Sequence, residues 1–193
     1  VLALVLMLSR SLPAYTRDVQ AGAWSRSPQF CLLDHPIFEL EGRRLAIVGH
    51  GDIGGEVARL CRAVGLEVMI AERPGRSPRE GRVAWERALT ECDFLSLHCP
   101  LTADTRGLIG RAELQRMARG AFLINAARGG VVDEAALLEA LKQGWIAGAA
   151  VDVLDGEPPP ADHPLISAGL PNLIITPHCA WGSREARQRI VEQ

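Results

Sequence analysis

The stretch Leu45-Ala46-Ile47-Val48-Gly49-His50-Gly51-Asp52-Ile53-Gly54 runs from four apolar residues straight into three spaced glycines, and a helix-forming segment, Glu56 to Val64, follows. That order describes a buried parallel strand, a tight turn and a helix start. Each glycine has its own task. Gly49 permits the turn, Gly51 lets the backbone approach a pyrophosphate with no side chain in the way, and Gly54 lets the helix pack close to the strand. The free N–H groups and positive end of that helix then face the anion. A lone triplet also serves ordinary turns, so the context matters. A second apolar run, Val68 to Ala71, ends in Glu72, close to the ~20-residue offset at which an acid accepts hydrogen bonds from an adenosine ribose. The pattern predicts a dinucleotide site.

Around this core, strand and helix signals alternate. Strands are expected at Leu45–Val48, Glu67–Ala71, Arg82–Val83, Phe94–Leu97, Ala121–Ile124, Ala147–Val151 and Leu173–Ile175. Residues 1 to 24 read as one helix with Pro13 as a kink. Further helices are expected at Ala84–Thr90, Arg111–Met117 and Glu134–Gln143, the last with Asp133 as N-cap and Gly144 as its stop. A final helix starts after Ser183. Such alternation predicts an α/β fold, a Rossmann-type doubly wound parallel sheet with helices on both faces.

Composition narrows the partners. The chain has 193 residues, 48% hydrophobic and 23% charged, with net charge −2. No block of like charge appears, because Arg73, Arg76, Arg79 and Arg82 are spread through a polar loop; neither nucleic acid nor an anionic membrane is implied. The apolar run Val1 to Leu8 is too short to span a bilayer, lacks a basic lead and a cleavage site, and reads as a buried helix. Five cysteines, with no Cys-x-x-Cys pair and no metal-ligand spacing, read as reduced thiols of a cytoplasmic protein with no metal site.

In a doubly wound sheet, ligands lie beyond the carboxyl ends of the strands. Four such ends carry reactive or polar groups: His98-Cys99-Pro100-Leu101-Thr102; Asn125-Ala126-Ala127-Arg128-Gly129-Gly130; Asp152, with Glu157 further on; and Thr176-Pro177-His178. Hydride transfer to a 2-oxo acid needs a cation that holds the carboxylate and polarises the carbonyl, and the planar fork of Arg128 suits both tasks. It also needs a proton donor titrating near neutrality, which His178 supplies. Glu157, bonded to the far imidazole nitrogen, would fix the tautomer and favour the charged ring. Asp152 is placed to accept from a nicotinamide carboxamide. Taken singly, a His after Thr-Pro is a loop residue, Arg-Gly-Gly a turn and Glu157 a solvated acid. Their joint position at successive strand ends points to chemistry.

These motifs, with Thr105-Arg106-Gly107-Leu108-Ile109 and Trp181 added, resemble the D-isomer-specific 2-hydroxyacid dehydrogenases in order across nearly the whole chain. The resemblance implies that Arg128, Glu157 and His178 are catalytic. It implies a cofactor site lined by Gly49, Gly51, Asp52, Ile53, Gly54, Glu72, Cys99, Pro100, Thr105, Ala126, Ala127, Arg128, Asp152 and His178, and substrate contacts from Arg128 and Trp181. The ending from His178 to Arg187 is most similar to the glycerate dehydrogenase (hydroxypyruvate reductase) branch, so D-glycerate/hydroxypyruvate or glyoxylate is the expected substrate. Glu72 keeps the negative charge that repels a 2′-phosphate and favours NAD over NADP, and Arg73 and Arg76 temper that preference.

The resemblance further implies a homodimer for the full-length protein. It implies that residues 1–193 are a NAD-binding domain, with 1–24 a leading interdomain helix and 183–193 the start of a returning one. The substrate domain is then absent from this chain, which is expected to bind NAD(H) weakly and turn over poorly alone. Competing expectations are a NAD-sensing corepressor of the same family, a D-lactate or phosphoglycerate type of dehydrogenase and, outside the family, a methyltransferase. The last leaves the third glycine and the Arg/Glu/His set unexplained.

Overall fold

A computed structural model describes residues 1–192 of the chain. Strand β1, Arg44–Val48, is buried along both faces and pairs in parallel with β2, Glu67–Ile70, on one side and β3, Phe94–Leu97, on the other. Strands β4 (Phe122–Asn125), β5 (Gly148–Val151) and β6 (Leu173–Ile175) extend the sheet beyond β3, every pairing parallel. The resulting order, β2-β1-β3-β4-β5-β6, reverses between β1 and β3. That reversal opens a crevice above the ends of β1 and β3, where a doubly wound sheet binds its ligand.

The pleat divides the apolar residues between two cores. Leu45, Ile47, Phe94, Ile124 and Ala150 face one core, closed by α1 (Leu2–Ser9) and α3 (Asp52–Ala63). Ala46, Val48, Leu95, Leu97 and Leu123 face the other, covered by α4 (Trp85–Glu91), α5 (Arg111–Arg116) and α6 (Glu134–Gln143). Side chains such as Phe94, Leu95 and Leu137 are fully buried. Each such burial stabilises by about 2 kcal/mol, which holds the strand ends rigidly in place.

The α6 helix matches its sequence signals in full. Asp133 accepts from the Ala136 N–H at 3.0 Å, and Gly144 ends the helix with φ 65°. Three expectations need correction. Residues 1 to 24 form two helices, α1 and α2 (Leu12–Gln20), followed by a 3-10 turn at Trp24–Arg26. The chain breaks at Ser11, with φ 48°, and Pro13 falls in the first turn of α2, where its missing N–H costs nothing. The expected strand Arg82–Val83 shrinks to a single parallel bridge between Val83 and Ala71 at the sheet edge. Helix α3 starts at Asp52, four residues before the expected Glu56, because Gly51 serves as N-cap and the low helix propensity of Gly54 and Gly55 is overridden by packing. A short helix α7, Pro164–Ser167, had no sequence signal, and α8 covers Arg184–Val191 with the Ser183 hydroxyl as its cap.

Candidate functional site

The three motif glycines occupy three distinct environments. Gly49 turns the chain out of β1 with φ 94°, and a β-carbon there would sit 2.7 Å from the His98 carbonyl carbon, so only glycine fits against the end of β3. A β-carbon on Gly54 would collide with the Gly49 carbonyl oxygen, so glycine is what lets α3 approach the turn. Gly51 differs: nothing lies within 4 Å of where its β-carbon would be. The space a side chain would fill is open, at the N-terminus of a 12-residue helix. This cradle fits the pyrophosphate of a dinucleotide, with backbone N–H groups and the helix dipole directed at it. Asp52 and the exposed Ile53 open α3 at its rim.

Beside the cradle, β3 delivers His98, Cys99 and Pro100. The Thr105 hydroxyl donates to the Pro100 carbonyl at 2.6 Å and accepts from the Thr102 N–H at 2.8 Å, folding this loop back on itself. Burial lowers the His98 pKa to about 4 and pushes the Cys99 thiol up, so both stay neutral at physiological pH. His98 adds a contact to Ser96, with 2.9 Å between ring nitrogen and hydroxyl.

At the edge of the sheet, Glu72 follows β2 as expected, but it is not solvated. The residue is 1% exposed. Arg79 donates to both of its oxygens, Nε at 2.6 Å and Nη2 at 2.9 Å, and the Arg73 N–H adds a bond at 3.0 Å. The Arg79 bonds and then the Arg73 amide hold the carboxyl near a pKa of about 2. Arg79 and Arg82 therefore converge on one acid, where the sequence suggested only spread charges.

The opposite half of the carboxyl edge gathers the other candidates. Asn125, ending β4, accepts from the Ala127 N–H at 3.1 Å and donates to the Arg128 carbonyl at 3.0 Å, so its amide shapes the turn of Ala126, Ala127 and Arg128. Arg128 is exposed and donates to the Ala127 carbonyl at 2.7 Å. Gly129 is pressed against the Leu154 carbonyl, where any β-carbon would collide. That contact sets the Arg128 turn against the loop carrying Glu157.

Asp152, 2% exposed just past β5, ties the ends of β5 and β6 together. Its carboxylate accepts from the Thr176 hydroxyl at 2.5 Å and from the N–H groups of Cys179 at 3.0 Å and Ala180 at 2.8 Å. Its own carbonyl accepts from the His178 N–H at 2.8 Å. These bonds hold His178 at φ 49°, a left-handed conformation that costs about 1 kcal/mol or more. Asp152 thus faces the His178 loop with most of its lone pairs, an arrangement not legible from its expected role toward a carboxamide.

Glu157 then completes the pair. One oxygen accepts from the Leu154 N–H at 2.9 Å and the other lies 2.6 Å from His178 Nδ1. Because a carboxylate accepts there, Nδ1 carries the proton, and Nε2 has no protein partner among the described residues. Trp181 donates to the His178 carbonyl at 3.0 Å. Together with Glu157, Pro158, Leu165 and Ile166, His178 and Trp181 line an open groove of about 940 Å³. The structure brings Glu157 and His178 into contact and places the Arg128 turn against their loop; Arg128 itself bonds neither. Asn125, Thr176, Gly129 and Arg79 stand in stretches the sequence pointed to, but it gave none of them a role. Their partners lie between 2 and 25 residues away along the chain, and the Thr176–Asp152 and Gly129–Leu154 pairs become neighbours only through the sheet.

Residues 2–180 match the model of the D-isomer specific 2-hydroxyacid dehydrogenase, NAD binding domain. The chain is 46% identical over 193 residues to a glycerate dehydrogenase of Methylorubrum extorquens, covering 100% of this chain and 60% of that protein. It is 41% identical over 190 residues to a glyoxylate reductase of Korarchaeum cryptofilum, covering 94% of this chain and 57% of the relative. Among solved structures, D-lactate dehydrogenase of Aquifex aeolicus, complexed with NAD and lactic acid, superposes with a TM-score of 0.82 at 31% identity, over 99% of this chain and 61% of that one. A glyoxylate reductase from Paecilomyes thermophila gives a TM-score of 0.84 at 30% identity, over 99% and 57%. The chain spans about three fifths of the length of these relatives.

Proposed function

The chain belongs to the D-isomer specific 2-hydroxyacid dehydrogenase family by its NAD-binding domain, and from that premise we propose that it serves hydride transfer between NAD(H) and a small D-2-hydroxy acid or 2-oxo acid. D-glycerate/hydroxypyruvate or glyoxylate is the proposed substrate pair, supported by likeness to a glycerate dehydrogenase and glyoxylate reductases. One observation carries the chemistry: the Glu157 carboxylate 2.6 Å from His178 Nδ1, with the ring's other nitrogen unpartnered among the described residues.

Bound NAD(H) supplies or accepts the hydride; the chain's residues do the rest. Gly49 and Gly54 let the turn close against β3 and α3, and Gly51 leaves the backbone bare where a pyrophosphate would lie. Arg128 holds the substrate carboxylate and polarises the carbonyl, and its exposed guanidinium is free to turn toward a substrate. His178 Nε2 gives a proton to the alkoxide formed in reduction, or takes the hydroxyl proton in oxidation. Glu157 keeps Nδ1 protonated and stabilises the ring while it is charged. Asp152 acts through His178 as a positioning residue, and Trp181 borders the groove where the substrate's carbon chain would lie. The protein is proposed to work as a homodimer in the cytoplasm; no described helix is long and apolar enough to cross a membrane.

The test is the decrease in NADH absorbance with hydroxypyruvate, glyoxylate and pyruvate, measured on the polypeptide that carries this domain. Reduction of one or more is expected, and His178→Ala should lower kcat about 10²- to 10⁴-fold, the usual worth of a general acid. Absence of turnover with all three, or an unimpaired His178→Ala enzyme, overturns the assignment. An NAD-sensing corepressor would instead keep its function in Arg128→Ala and lose it when Gly51 is replaced.

A further inference from the structure

Glu72 stands where this fold recognises the adenosine ribose, and in this chain that carboxylate is closed off. Its two oxygens take the Arg73 N–H at 3.0 Å, Arg79 Nη2 at 2.9 Å, Arg79 Nε at 2.6 Å and the Arg79 N–H at 3.4 Å. An ionised carboxylate offers about four lone-pair sites, so these donors fill it. A ribose diol that donated to Glu72 would have to displace Arg79 first. The Arg79 side chain, in contrast, is 64% exposed and reachable from solvent.

Charge points the same way. Residues 72–82 hold Arg73, Arg76, Arg79 and Arg82 against Glu72 and Glu80, a net charge of +2. A phosphate monoester carries about −1.5 to −2 at neutral pH. Arg82 lies 3.9 Å from the same Glu72 oxygen and donates to the Ala71 carbonyl at 3.2 Å, so a second guanidinium already stands by to offset the acid when Arg79 leaves. The repulsion that Glu72 alone would exert on a 2′-phosphate is cancelled.

We propose that Arg79 is a latch on Glu72 that transfers to the 2′-phosphate of NADP(H), so that the site takes both nucleotides with comparable affinity and Arg79 sets the balance between them. NADH binding must break the bidentate bond to reach Glu72. NADPH binding exchanges it for an equivalent bidentate bond to phosphate. This rests on the dinucleotide site proposed above and adds to it the residue that sets discrimination.

Isothermal titration calorimetry of this chain with NADH and NADPH tests the latch, with circular dichroism as the check on folding. In the unmodified chain the two dissociation constants should agree within about fivefold. Arg79→Ala should weaken NADPH about tenfold or more and tighten NADH a few-fold, since it removes a charge-assisted phosphate ligand and frees the carboxylate. Glu72→Gln should move the ratio the other way by releasing Arg79, and it carries the test if Arg79→Ala fails to fold. NADPH binding about 100-fold weaker than NADH before any substitution, or variants that change both nucleotides by one factor, overturn the latch alone. Failure of both nucleotides to bind the unmodified chain overturns the nucleotide site, and the latch with it.

Discussion

The carboxyl edge of the sheet bears a carboxylate with a basic partner at each end, built to opposite specifications. Beyond β2, Glu72 is buried and its partner is a guanidinium, which never gives up its proton at working pH. Beyond β5 and β6, Glu157 and His178 are partly open, 31% and 41% exposed, and the carboxylate's partner is an imidazole whose second nitrogen has no protein partner among the described residues. A proton can leave and return only at the second site. The first holds charge in fixed positions and suits recognition of an anion or a diol. Strands about 4.8 Å apart separate the outer strands of a six-stranded sheet by roughly 24 Å, well beyond the screening length of about 8 Å at physiological salt. Substitutions at the two ends should therefore act independently.

Replacing Glu157 gives the largest expected effect at the open end. Glu157→Gln keeps the shape but cannot favour the charged ring, and kcat should fall about 10²-fold or more, read by NADH oxidation against hydroxypyruvate. Retention of full kcat would show that the 2.6 Å contact only anchors the loop, and the contrast between the two ends would lose its chemical meaning.

Next comes the support beneath His178. Asp152→Ala removes the buried charged acceptor shared by Thr176, Cys179 and Ala180, a loss of about 2 kcal/mol. Chemical denaturation should show a lower midpoint. An unchanged midpoint would mean that the left-handed His178 backbone holds itself.

The effect that is smallest near neutrality, a graded one, is read by pH at the nucleotide end. His98 abuts the nucleotide cradle through Gly49 and is held neutral down to about pH 4, whereas the unfolded chain takes up its proton near 6.5. Its contribution is thus complete above 6.5 and lost as pH falls toward 4. Glu72 has a depressed pKa, so its stabilisation is present above the unfolded value near 4.5 and disappears as pH falls toward about 2. Melting temperatures recorded from pH 7 to 3 should fall in two overlapping stages. His98→Asn should remove the first and leave the second, and an unaltered profile in that variant would assign the acid sensitivity elsewhere.

Sequence alone determined the parts governed by local rules. The Gly49, Gly51, Gly54 triplet, the α6 caps at Asp133 and Gly144, and the polar strand ends are set by backbone sterics, hydrogen-bond valence and hydrophobic period, all of which act over a few residues. Local rules also misled where packing was stronger. The break at Ser11 and the early start of α3 both follow from contacts made after the helices dock on the sheet. Only the tertiary structure decided which charges meet. Arg79 could have been one more solvated side chain, and Asp152 an acid waiting for a ligand. Burial of the Glu72 and Asp152 carboxylates obliges each to find donors, and the donors available are whatever the parallel sheet and its loops bring alongside.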